Sequence, residues 1–391
     1  MPEAKAGLSG LGNKLLAQVQ PSAIRAVDQQ ISSVPGIIKL TLGEPDFAVP
    51  EHVKQATVSA IENDHSHYAP SMGYPELRSA VSNYLAERFA AHYAPEEVVV
   101  TTGATEAITA SIQALFNPGD TIIVPTPTFP LYAAVSRMHG LNVVEVNTAP
   151  DFIMTPALLK QTLAQHPDAK AMVINYPGNP TGVTYTHAQI KALAAAIADT
   201  NLLVLADEIY AELSYDADHL SLGKLLPEQT LLISGLSKSH AMTGYRVGYV
   251  AGPAALTKQV GKMHQYMVTT VASPMQLAAL AALNDGRKDP AIMREQYRAR
   301  RDLVLAGLKQ AGFSAATPGG AFYIFAKMPA RFGTDDVAFN LRLAREAKVG
   351  LVPGSVFGPG GAGYLRLSYA AATAKLEEAV KRIQQFAQQN Q

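Results

Sequence analysis

Short apolar runs of four or five residues recur through the first two thirds of the chain and alternate with segments of helical spacing. From residue 98 onward these runs are rich in aliphatic and β-branched residues, which is typical of buried strands. Strands are predicted at 98–102, 121–124, 142–146, 171–175, 202–206, 231–234 and 247–251. Helices are predicted at 106–116, 131–139, 155–165 and 187–199. Regular alternation of this kind predicts an α/β fold with a mostly parallel sheet and helices on both faces.

The two ends of the chain have a different pattern. Ahead of the alternating region, helices are predicted at 15–29, 51–63 and 76–91, with a short strand at 38–42. After residue 286, the predicted elements are a long charged helix at 291–310, a strand at 321–325, a helix at 335–348, a strand at 364–369 and a helix at 373–388. We therefore expect an N-terminal arm (1–45) that joins the small domain, a large domain (46–286) and a small α+β domain (287–391).

Composition narrows the class of protein. A chain of 391 residues, 48% hydrophobic and 16% charged, is typical of a globular protein with a large buried interior. Zero net charge gives no sign of nucleic acid or an anionic membrane as a partner. The absence of cysteine excludes disulfides and thiolate chemistry, and no metal site is predicted. Without a secretory signal or a bilayer-spanning apolar stretch, we expect a cytoplasmic protein.

One lysine is the first candidate for chemistry. Lys238 follows the apolar run 231–234, and most of its neighbours in 234–244 are small or hydroxylic. A lysine amine that is partly desolvated can lose its proton near neutral pH and attack a carbonyl. Most lysines at strand ends are solvated surface residues, so the remaining motifs decide how Lys238 is interpreted.

Further candidates follow other predicted strands, where ligands bind in parallel α/β sheets. The turn Gly103-Ala104-Thr105 leads into a helix whose free N–H groups suit a phosphate, although an ordinary connecting turn has the same pattern. Phe129 lies in a proline-rich loop, where its ring could stack on a flat ligand or fill the core.

Polar residues at three later positions complete the set. The loop 175–182 is dense in asparagine, proline and glycine, which fixes its amides near a strand end. Asp207 closes a buried run, and a buried carboxylate needs a partner such as a protonated ring nitrogen, an arginine or a helix N-terminus. Arg366 occupies the middle of a predicted strand, where it could bind a substrate carboxylate or form a structural ion pair.

Together and in this order, the stretches resemble the class I and II aminotransferases, which are pyridoxal-phosphate enzymes of fold type I. The resemblance runs over nearly the whole chain and implies pyridoxal 5′-phosphate as the cofactor. It implies that the turn Gly103-Ala104-Thr105 and Arg246 hold the cofactor phosphate. It also implies a homodimer in which Tyr68 reaches the phosphate of the other subunit.

The same resemblance implies roles around the cofactor ring. Lys238 corresponds to the Schiff-base lysine, Phe129 to the stacking ring and Asp207 to the partner of the ring nitrogen. Asn179 and Tyr210 correspond to the hydrogen-bond partners of the phenolic oxygen. For the substrate, Arg366 corresponds to the arginine that binds the α-carboxylate. Asn179 lies beside that carboxylate, and Gly43 begins the N-terminal substrate loop.

One position departs from the family pattern. Many members have a phosphate-binding serine three residues before the lysine, and here that position is Gly235. The neighbouring hydroxyls are those of Ser234 and Ser237. We expect Ser237 to bind the phosphate in place of the missing serine.

The expected activity is the transfer of an amino group from an L-amino acid to a 2-oxo acid such as 2-oxoglutarate, with ping-pong kinetics. The segments 234–240 and 242–246 resemble a bacterial subgroup that includes aromatic amino-acid and N-acetyl-diaminopimelate aminotransferases. An aspartate enzyme needs a second cation, and segments 106–116 and 264–276 contain none, although Arg25, Lys39 or a residue of a second subunit could serve. We therefore favour a large or aromatic side chain.

Several alternatives stay open. The donor could instead be aspartate or N-acetyl-diaminopimelate. The same scaffold could also catalyse a C–S β-lyase reaction. A non-catalytic pyridoxal-phosphate-binding regulatory module would need a fused DNA-binding segment, and residues 1–35 are too short for one.

Overall fold

The computed structural model describes residues 2–5 and 7–390; Met1, Ala6 and Gln391, which the predicted terminal domains include, lie outside the described residues. The helices are α1 (Ala23–Ile31), α2 (Glu51–Glu62), α3 (Pro75–Phe89), α4 (Gly103–Leu115), α5 (Leu131–Met138), α6 (Pro156–Gln165), α7 (His187–Ala198), α8 (Leu222–Leu225), α9 (Leu236–Ser239), α10 (Ala254–Val268), α11 (Ser273–Asp285), α12 (Asp289–Gln310), α13 (Asp336–Glu346) and α14 (Thr373–Gln389). The strands are β1 (Ile38–Lys39), β2 (Val98–Thr101), β3 (Thr121–Thr126), β4 (Asn142–Asn147), β5 (Ala169–Asn175), β6 (Leu203–Asp207), β7 (Thr230–Gly235), β8 (Gly248–Ala251), β9 (Ser314–Ala315), β10 (Tyr323–Lys327), β11 (Val349–Gly350), β12 (Val352–Pro353) and β13 (Tyr364–Ser368).

A seven-stranded sheet in the order β2-β8-β7-β6-β5-β3-β4 forms the centre of the fold. The strands from β3 to β7 pair in parallel, whereas β8 runs antiparallel to both β2 and β7. The α/β fold with a mostly parallel sheet is therefore confirmed. Strand β8 runs antiparallel to β7, and the connection between them, residues 236–247, contains only the four-residue helix α9 and a 3-10 turn rather than the longer helix that usually carries a parallel crossover.

Helices cover both faces of this sheet. Strands β2, β7 and β8 are buried along their whole length, which explains their nearly continuous aliphatic sequences. Helix α4 packs with α10 on one face, where its buried alanine and isoleucine side chains join those of the strands. Helix α7 contributes to the core on the other side of β5 and β6. The carboxyl ends of the parallel strands consequently meet at one edge of a rigid sheet.

The C-terminal part of the chain forms a smaller antiparallel sheet in the order β12-β13-β10-β9. Helices α12 and α14 pack against each other beside it. The N-terminal strand β1 pairs in parallel with β11, with Ile38 opposite Val349. This pairing is the contact that an arm joined to the small domain requires. The three domain boundaries themselves stay a prediction.

The structure corrects three details of the predicted elements. The single helix at 15–29 is instead a short 3-10 helix, Leu16–Gln18, followed by α1, because Pro21 interrupts the helix and Ser22 caps a new one. Helices α10 and α11 were not predicted. The strand expected at 321–325 begins only at residue 323, since Ala321 has a left-handed backbone conformation (φ 57°). None of the helices among the described residues is long and apolar enough to cross a membrane.

Candidate active site

Lys238 lies in the connection between β7 and β8, on the single-turn helix α9. Its ammonium group donates a hydrogen bond to the carbonyl oxygen of Gly43 (Nζ–O 2.6 Å), which comes from the loop after β1. Burial lowers the pKa of Lys238 to about 8, with the cations Arg246 and Arg366 acting in the same direction and Glu44 opposing them. A reactive fraction of free amine is therefore present near neutral pH.

A cavity of about 320 Å³ surrounds Lys238 at the carboxyl ends of the parallel strands. Eleven of the thirteen site residues predicted from the sequence line it: Gly43, Ala104, Thr105, Phe129, Asn179, Asp207, Tyr210, Ser237, Lys238, Arg246 and Arg366. Of the other two, Gly103 lies against Arg246 and Tyr68 is 85% exposed on the surface. The structure thus brings together all but one of these residues within a single chain.

A positively charged corner of the cavity is built at the start of α4. The Arg246 guanidinium donates to the carbonyl oxygens of Thr243 (3.1 Å) and Thr102 (3.4 Å), which holds it beside the first turn of the helix. Gly103 has a φ of +77°, and a Cβ there would lie 2.6 Å from Nη2 of Arg246, so another residue would strain the backbone and displace the guanidinium. Together with the free N–H groups at the N-terminus of α4, Arg246 suits a phosphate dianion.

The position of the missing serine is sterically closed. A Cβ on Gly235 would lie 2.8 Å from both the Cα of Gly248 and the carbonyl oxygen of Val247, so a serine side chain does not fit there. Ser234 is buried and directs its hydroxyl to the carbonyl oxygen of Glu208 (3.4 Å). The Ser237 hydroxyl lines the cavity and has no hydrogen-bond partner in the described part of the chain. Of the two hydroxyls, that of Ser237 is the one available to a ligand.

Asp207 is a buried carboxylate at the end of β6. The Tyr132 hydroxyl donates to its Oδ2 (2.7 Å), and the backbone N–H of Ile209 donates to its Oδ1 (3.2 Å). Burial raises the pKa of Asp207 to about 6 in spite of these hydrogen bonds. Asp207 forms no salt bridge with the described residues, so a cationic group bound in the cavity would stabilise its charge.

Arg366 provides a binding site for an anion. It lies in β13 opposite Phe325 of β10, and its side chain is almost fully buried. One Nη atom donates to Oδ1 of Asn179 (2.9 Å), and the other donates to the carbonyl oxygen of Thr41. Its Nε is buried and has no partner within residues 2–5 and 7–390. Arg366 lines the cavity and forms no salt bridge with a described residue, so its guanidinium is suited to a carboxylate bound there.

Tyr210 and Tyr323 form a hydroxyl pair next to Arg366. Their Oη atoms are 2.9 Å apart, and both side chains are buried. The guanidinium carbon of Arg366 lies 4.7 Å from the centroid of the Tyr323 ring. Burial raises the pKa of both tyrosines above its usual range, so both hydroxyls keep their protons.

Three of these contacts were not predicted from the sequence. Tyr132 follows Phe129 by three residues, and this helical spacing was the available signal. Tyr323 opens β10, but nothing in a strand pattern shows which hydroxyl it meets. Thr41 contributes a backbone carbonyl, for which side-chain patterns carry no signal.

The residues of the cavity fit pyridoxal phosphate. The phosphate matches the corner formed by Arg246 and the start of α4, where Gly103 lets the guanidinium lie against the backbone. A protonated ring nitrogen would stabilise the buried Asp207 carboxylate, and Lys238 supplies an amine for the carbonyl carbon. The Arg366 guanidinium, which has no carboxylate partner among the described residues, remains for a substrate carboxylate.

Comparisons with known proteins agree with this interpretation. A family model described as aminotransferase class I and II matches residues 35–383. The chain is 40% identical to a probable N-acetyl-LL-diaminopimelate aminotransferase of Bacillus subtilis, over 96% of this chain and 95% of that protein. It is 37% identical to an aspartate/prephenate aminotransferase of Thermus thermophilus, over 96% and 98% of the two chains. The structure of a Thermus thermophilus aspartate aminotransferase with maleate has a TM-score of 0.91 at 36% identity, over 96% and 99% of the chains.

Proposed function

The chain belongs to the class I and II aminotransferases, and on this basis we propose that Lys238, Asp207 and Arg366 carry out its reaction. As a member of this family it is a pyridoxal-phosphate-dependent enzyme that transfers an amino group between amino acids and 2-oxo acids by a ping-pong mechanism. The observation that supports the residue assignment most strongly is the buried Arg366 guanidinium, which has no carboxylate partner among the described residues and lines the same cavity as Lys238 and Asp207.

Pyridoxal phosphate, when bound, supplies a carbonyl that links to amines and a ring that accepts the electrons of the broken Cα–H bond. Arg366 and Asn179 bind the α-carboxylate of the amino acid and orient its Cα. Asp207 keeps a proton on the ring nitrogen through its carboxylate, which Tyr132 holds in place. Tyr210 donates its hydroxyl proton to the phenolic oxygen of the ring.

Lys238 moves the proton in this proposal. Its amine takes the proton from Cα and returns one to the cofactor carbon that carried the carbonyl, acting first as a base and then as an acid. A pKa of about 8 suits both steps, since neither form of the amine is rare near neutral pH. The Gly43 carbonyl, 2.6 Å from Nζ, holds the amine inside the cavity.

For the amino donor, we favour a large or aromatic side chain. Besides Phe129, whose ring is assigned to the cofactor, four aliphatic side chains line the cavity: Ile24, Leu42, Ile108 and Leu131. Such a surface gains free energy by burying an apolar substrate side chain. The names of the relatives do not choose among donors, since they include aspartate, aromatic amino-acid and N-acetyl-LL-diaminopimelate aminotransferases.

For the acceptor 2-oxoglutarate, we propose that Arg25 binds the distal carboxylate. Both cations considered from the sequence, Arg25 and Lys39, belong to the N-terminal segment. Lys39 does not line the active-site cavity and is paired with Asp28 (2.9 Å). Arg25 does line it, and its side chain is exposed and has no hydrogen bond or salt bridge to a described residue. An exposed guanidinium on α1 can approach an acidic substrate and leave room for an aromatic one.

A half-reaction screen tests the proposed amino donor and the proposed acceptor. Single amino acids are added to the cofactor-loaded protein, and the loss of the cofactor's visible absorbance is followed; a 2-oxo acid is then added to restore it. We expect the fastest loss with phenylalanine, tyrosine or other large donors. Fast loss only with aspartate, or pyruvate release without an acceptor, would instead support an aspartate aminotransferase or a C–S β-lyase.

Arg25→Gln isolates the acceptor site. We expect the variant to need about two to five times more 2-oxoglutarate for half-maximal recovery, the loss of about 0.5–1 kcal/mol that an exposed ion pair contributes, with unchanged rates for aromatic donors. Arg345→Gln is the matched control, because Arg345 is exposed on α13 outside the cavity. Equal effects of the two substitutions would exclude Arg25 from acceptor binding.

We also propose that the enzyme works as a homodimer in which Tyr68 completes the site of the other subunit. Tyr68 is 85% exposed and Tyr266 is 82% exposed, and the half-exposed Met267 and Val268 follow Tyr266. Tyr266, Met267 and Val268 end helix α10, and the residues that follow it bond to the loop of Tyr68: the Thr270 hydroxyl donates to the Pro70 carbonyl (3.2 Å) and the Ser273 hydroxyl donates to the His67 carbonyl (2.6 Å). Exposed apolar side chains grouped in this way favour a protein interface.

Mixed dimers distinguish this arrangement from a role within one chain. We expect homodimers of Lys238→Ala chains and homodimers of Tyr68→Ala chains each to be weakly active. If Tyr68 acts across the interface, a hybrid of the two has one intact site, and mixing restores up to half of the wild-type activity per dimer. No gain on mixing, in a sample shown by mass to contain the hybrid, would contradict the proposal.

A further inference from the structure

Tyr323 occupies the space between the proposed carboxylate site and Tyr210. Its side chain is 1% exposed, and its hydroxyl is 2.9 Å from that of Tyr210. Its ring lies beneath the Arg366 guanidinium at 4.7 Å. A Cβ on Gly43 would overlap the Tyr323 hydroxyl, so the loop that holds Lys238 closes over this hydroxyl.

The direction of the hydrogen bond between the tyrosines follows from counting protons. Each hydroxyl keeps its proton, because burial raises both pKa values. When Tyr210 donates its only proton to a ligand in the cavity, its oxygen can only accept from Tyr323. The Tyr323 hydroxyl has no other partner among the residues that the structure describes, so nothing competes for its proton.

We propose that Tyr323 is a positioning residue that donates its hydroxyl proton to Tyr210 and thereby fixes Tyr210 as a donor toward the phenolic oxygen of the cofactor. This inference rests on the role proposed above for Tyr210. Hydrogen bonds in a chain polarise one another, so donation by Tyr323 strengthens donation by Tyr210. The positive charge of Arg366 next to the ring favours the partial negative charge that Tyr323 acquires when it donates its proton. The Tyr323 hydroxyl is therefore a better hydrogen-bond donor.

The consequence is a stabilised negative charge on the phenolic oxygen of the cofactor. Removing the Tyr323 hydroxyl should therefore raise the pKa at which the visible spectrum of the cofactor-loaded enzyme changes. One hydrogen bond of ordinary strength corresponds to a shift of about half to one pH unit. The substitution leaves the other charged or titratable groups that act on this pair chemically unchanged: Tyr132, Asp207 and Arg366. It also leaves Lys238 and the two charged groups that act on it, Glu44 and Arg246, unchanged.

A double-mutant cycle on the cofactor-loaded enzyme tests this relay, by which we mean the hydrogen-bond chain from Tyr323 through Tyr210 to the cofactor. Spectra are recorded against pH for the wild type, Tyr323→Phe, Tyr210→Phe and the double variant. We expect Tyr323→Phe to shift the transition upward by about half to one unit. We expect Tyr210→Phe to shift it further, and the double variant to match Tyr210→Phe, because Tyr323 acts only through Tyr210.

Two controls separate the relay from packing. Tyr323→Phe keeps the ring over which Arg366 lies, and its unfolding midpoint and cofactor content show that it is folded and loaded. Phe325→Leu changes packing on the same strand, at a residue that does not line the cavity, and should leave the spectral transition in place.

The outcomes distinguish the inference from the proposed function. A shift with Tyr210→Phe but none with Tyr323→Phe overturns the relay and leaves the proposed function intact. Additive shifts in the double variant also overturn the relay, since Tyr323 would then act independently of Tyr210. No shift with either variant overturns both the relay and the role proposed for Tyr210.

Discussion

The buried Asp207 carboxylate should make the cofactor-free protein less stable than a variant that lacks this charge. Burial raises the pKa of Asp207 from its ordinary value of 3.8 to about 6. An acid whose pKa is higher in the folded state binds more protons there than in the unfolded chain between these two values. The contribution of Asp207 to the free energy of unfolding is consequently most favourable below pH 3.8 and falls as the pH rises to about 6.

The substitution Asp207→Asn removes the loss of stability that the buried carboxylate charge causes, and it changes the shape of the side chain little. The raised pKa corresponds to about 3 kcal/mol at neutral pH, as an order of magnitude. An asparagine oxygen can still accept from the Ile209 N–H, and its NH₂ group can donate to the Tyr132 hydroxyl, which accepts as well as donates. The cofactor-free variant should therefore be more stable than the wild type at pH 8, by up to about 3 kcal/mol.

Urea unfolding of both cofactor-free proteins from pH 4 to pH 8 measures the effect. The stability difference should be small at pH 4 and grow until about pH 6. Asp199→Asn is a suitable control, since Asp199 is exposed at the C-terminus of α7. A variant less stable than the wild type at pH 8, or a difference independent of pH, would refute the reasoning.

The same substitution should damage the loaded enzyme. Leaving a buried charge without its partner typically costs about 3–5 kcal/mol, which corresponds to a 10²- to 10³-fold or larger loss of rate. Wild-type turnover by Asp207→Asn would show that Asp207 does not hold the ring nitrogen. Stability without the cofactor and activity with it should thus change in opposite directions.

Three further predictions concern other parts of the cavity. Covalent uptake of pyridoxal phosphate by the cofactor-free protein should become faster with rising pH, with a midpoint near pH 8, because the free amine of Lys238 is the nucleophile. Stopped-flow absorbance measures this rate, and a midpoint above pH 10 would contradict the lowered pKa of Lys238. Ser237→Ala should raise the cofactor dissociation constant about tenfold or more, as measured by fluorescence titration. Gly235→Ser should not improve cofactor binding and should lower the free energy of unfolding in urea by about 1–3 kcal/mol, because the serine side chain overlaps the backbone of β8. Tighter cofactor binding by Gly235→Ser would contradict the steric argument. Arg366→Gln should raise KM for every amino acid and 2-oxo acid by a similar factor, about tenfold or more, while the affinity for the cofactor stays within a factor of two. Steady-state kinetics measures these KM values, and a change confined to one substrate would contradict α-carboxylate binding by Arg366.

Much of the fold could be predicted from local patterns. The strands of the central sheet are short aliphatic runs that differ clearly from the helical segments between them, and the structure confirms them within a few residues. The reversal at β8 could not be predicted, because direction depends on the length and path of the connection that contains Lys238. Helices α10 and α11 were missed, although α10 follows β8 directly; α11 follows α10 with no strand between them, so the strand–helix alternation gives no signal for it.

The order of motifs along the sequence determined the chemistry of this protein: a lysine after a buried strand, an aspartate at the end of another, and a glycine turn before a helix. Only the tertiary structure decided which groups meet, because the contacts join residues far apart in sequence. The Gly43 carbonyl reaches Lys238 across 195 positions, and Tyr323 reaches Tyr210 across 113. Packing also decided that position 235 has no room for a serine and that Arg25, rather than Lys39, lines the cavity. Residue type fixes what a group can do, whereas distance and burial fix its partner and its pKa.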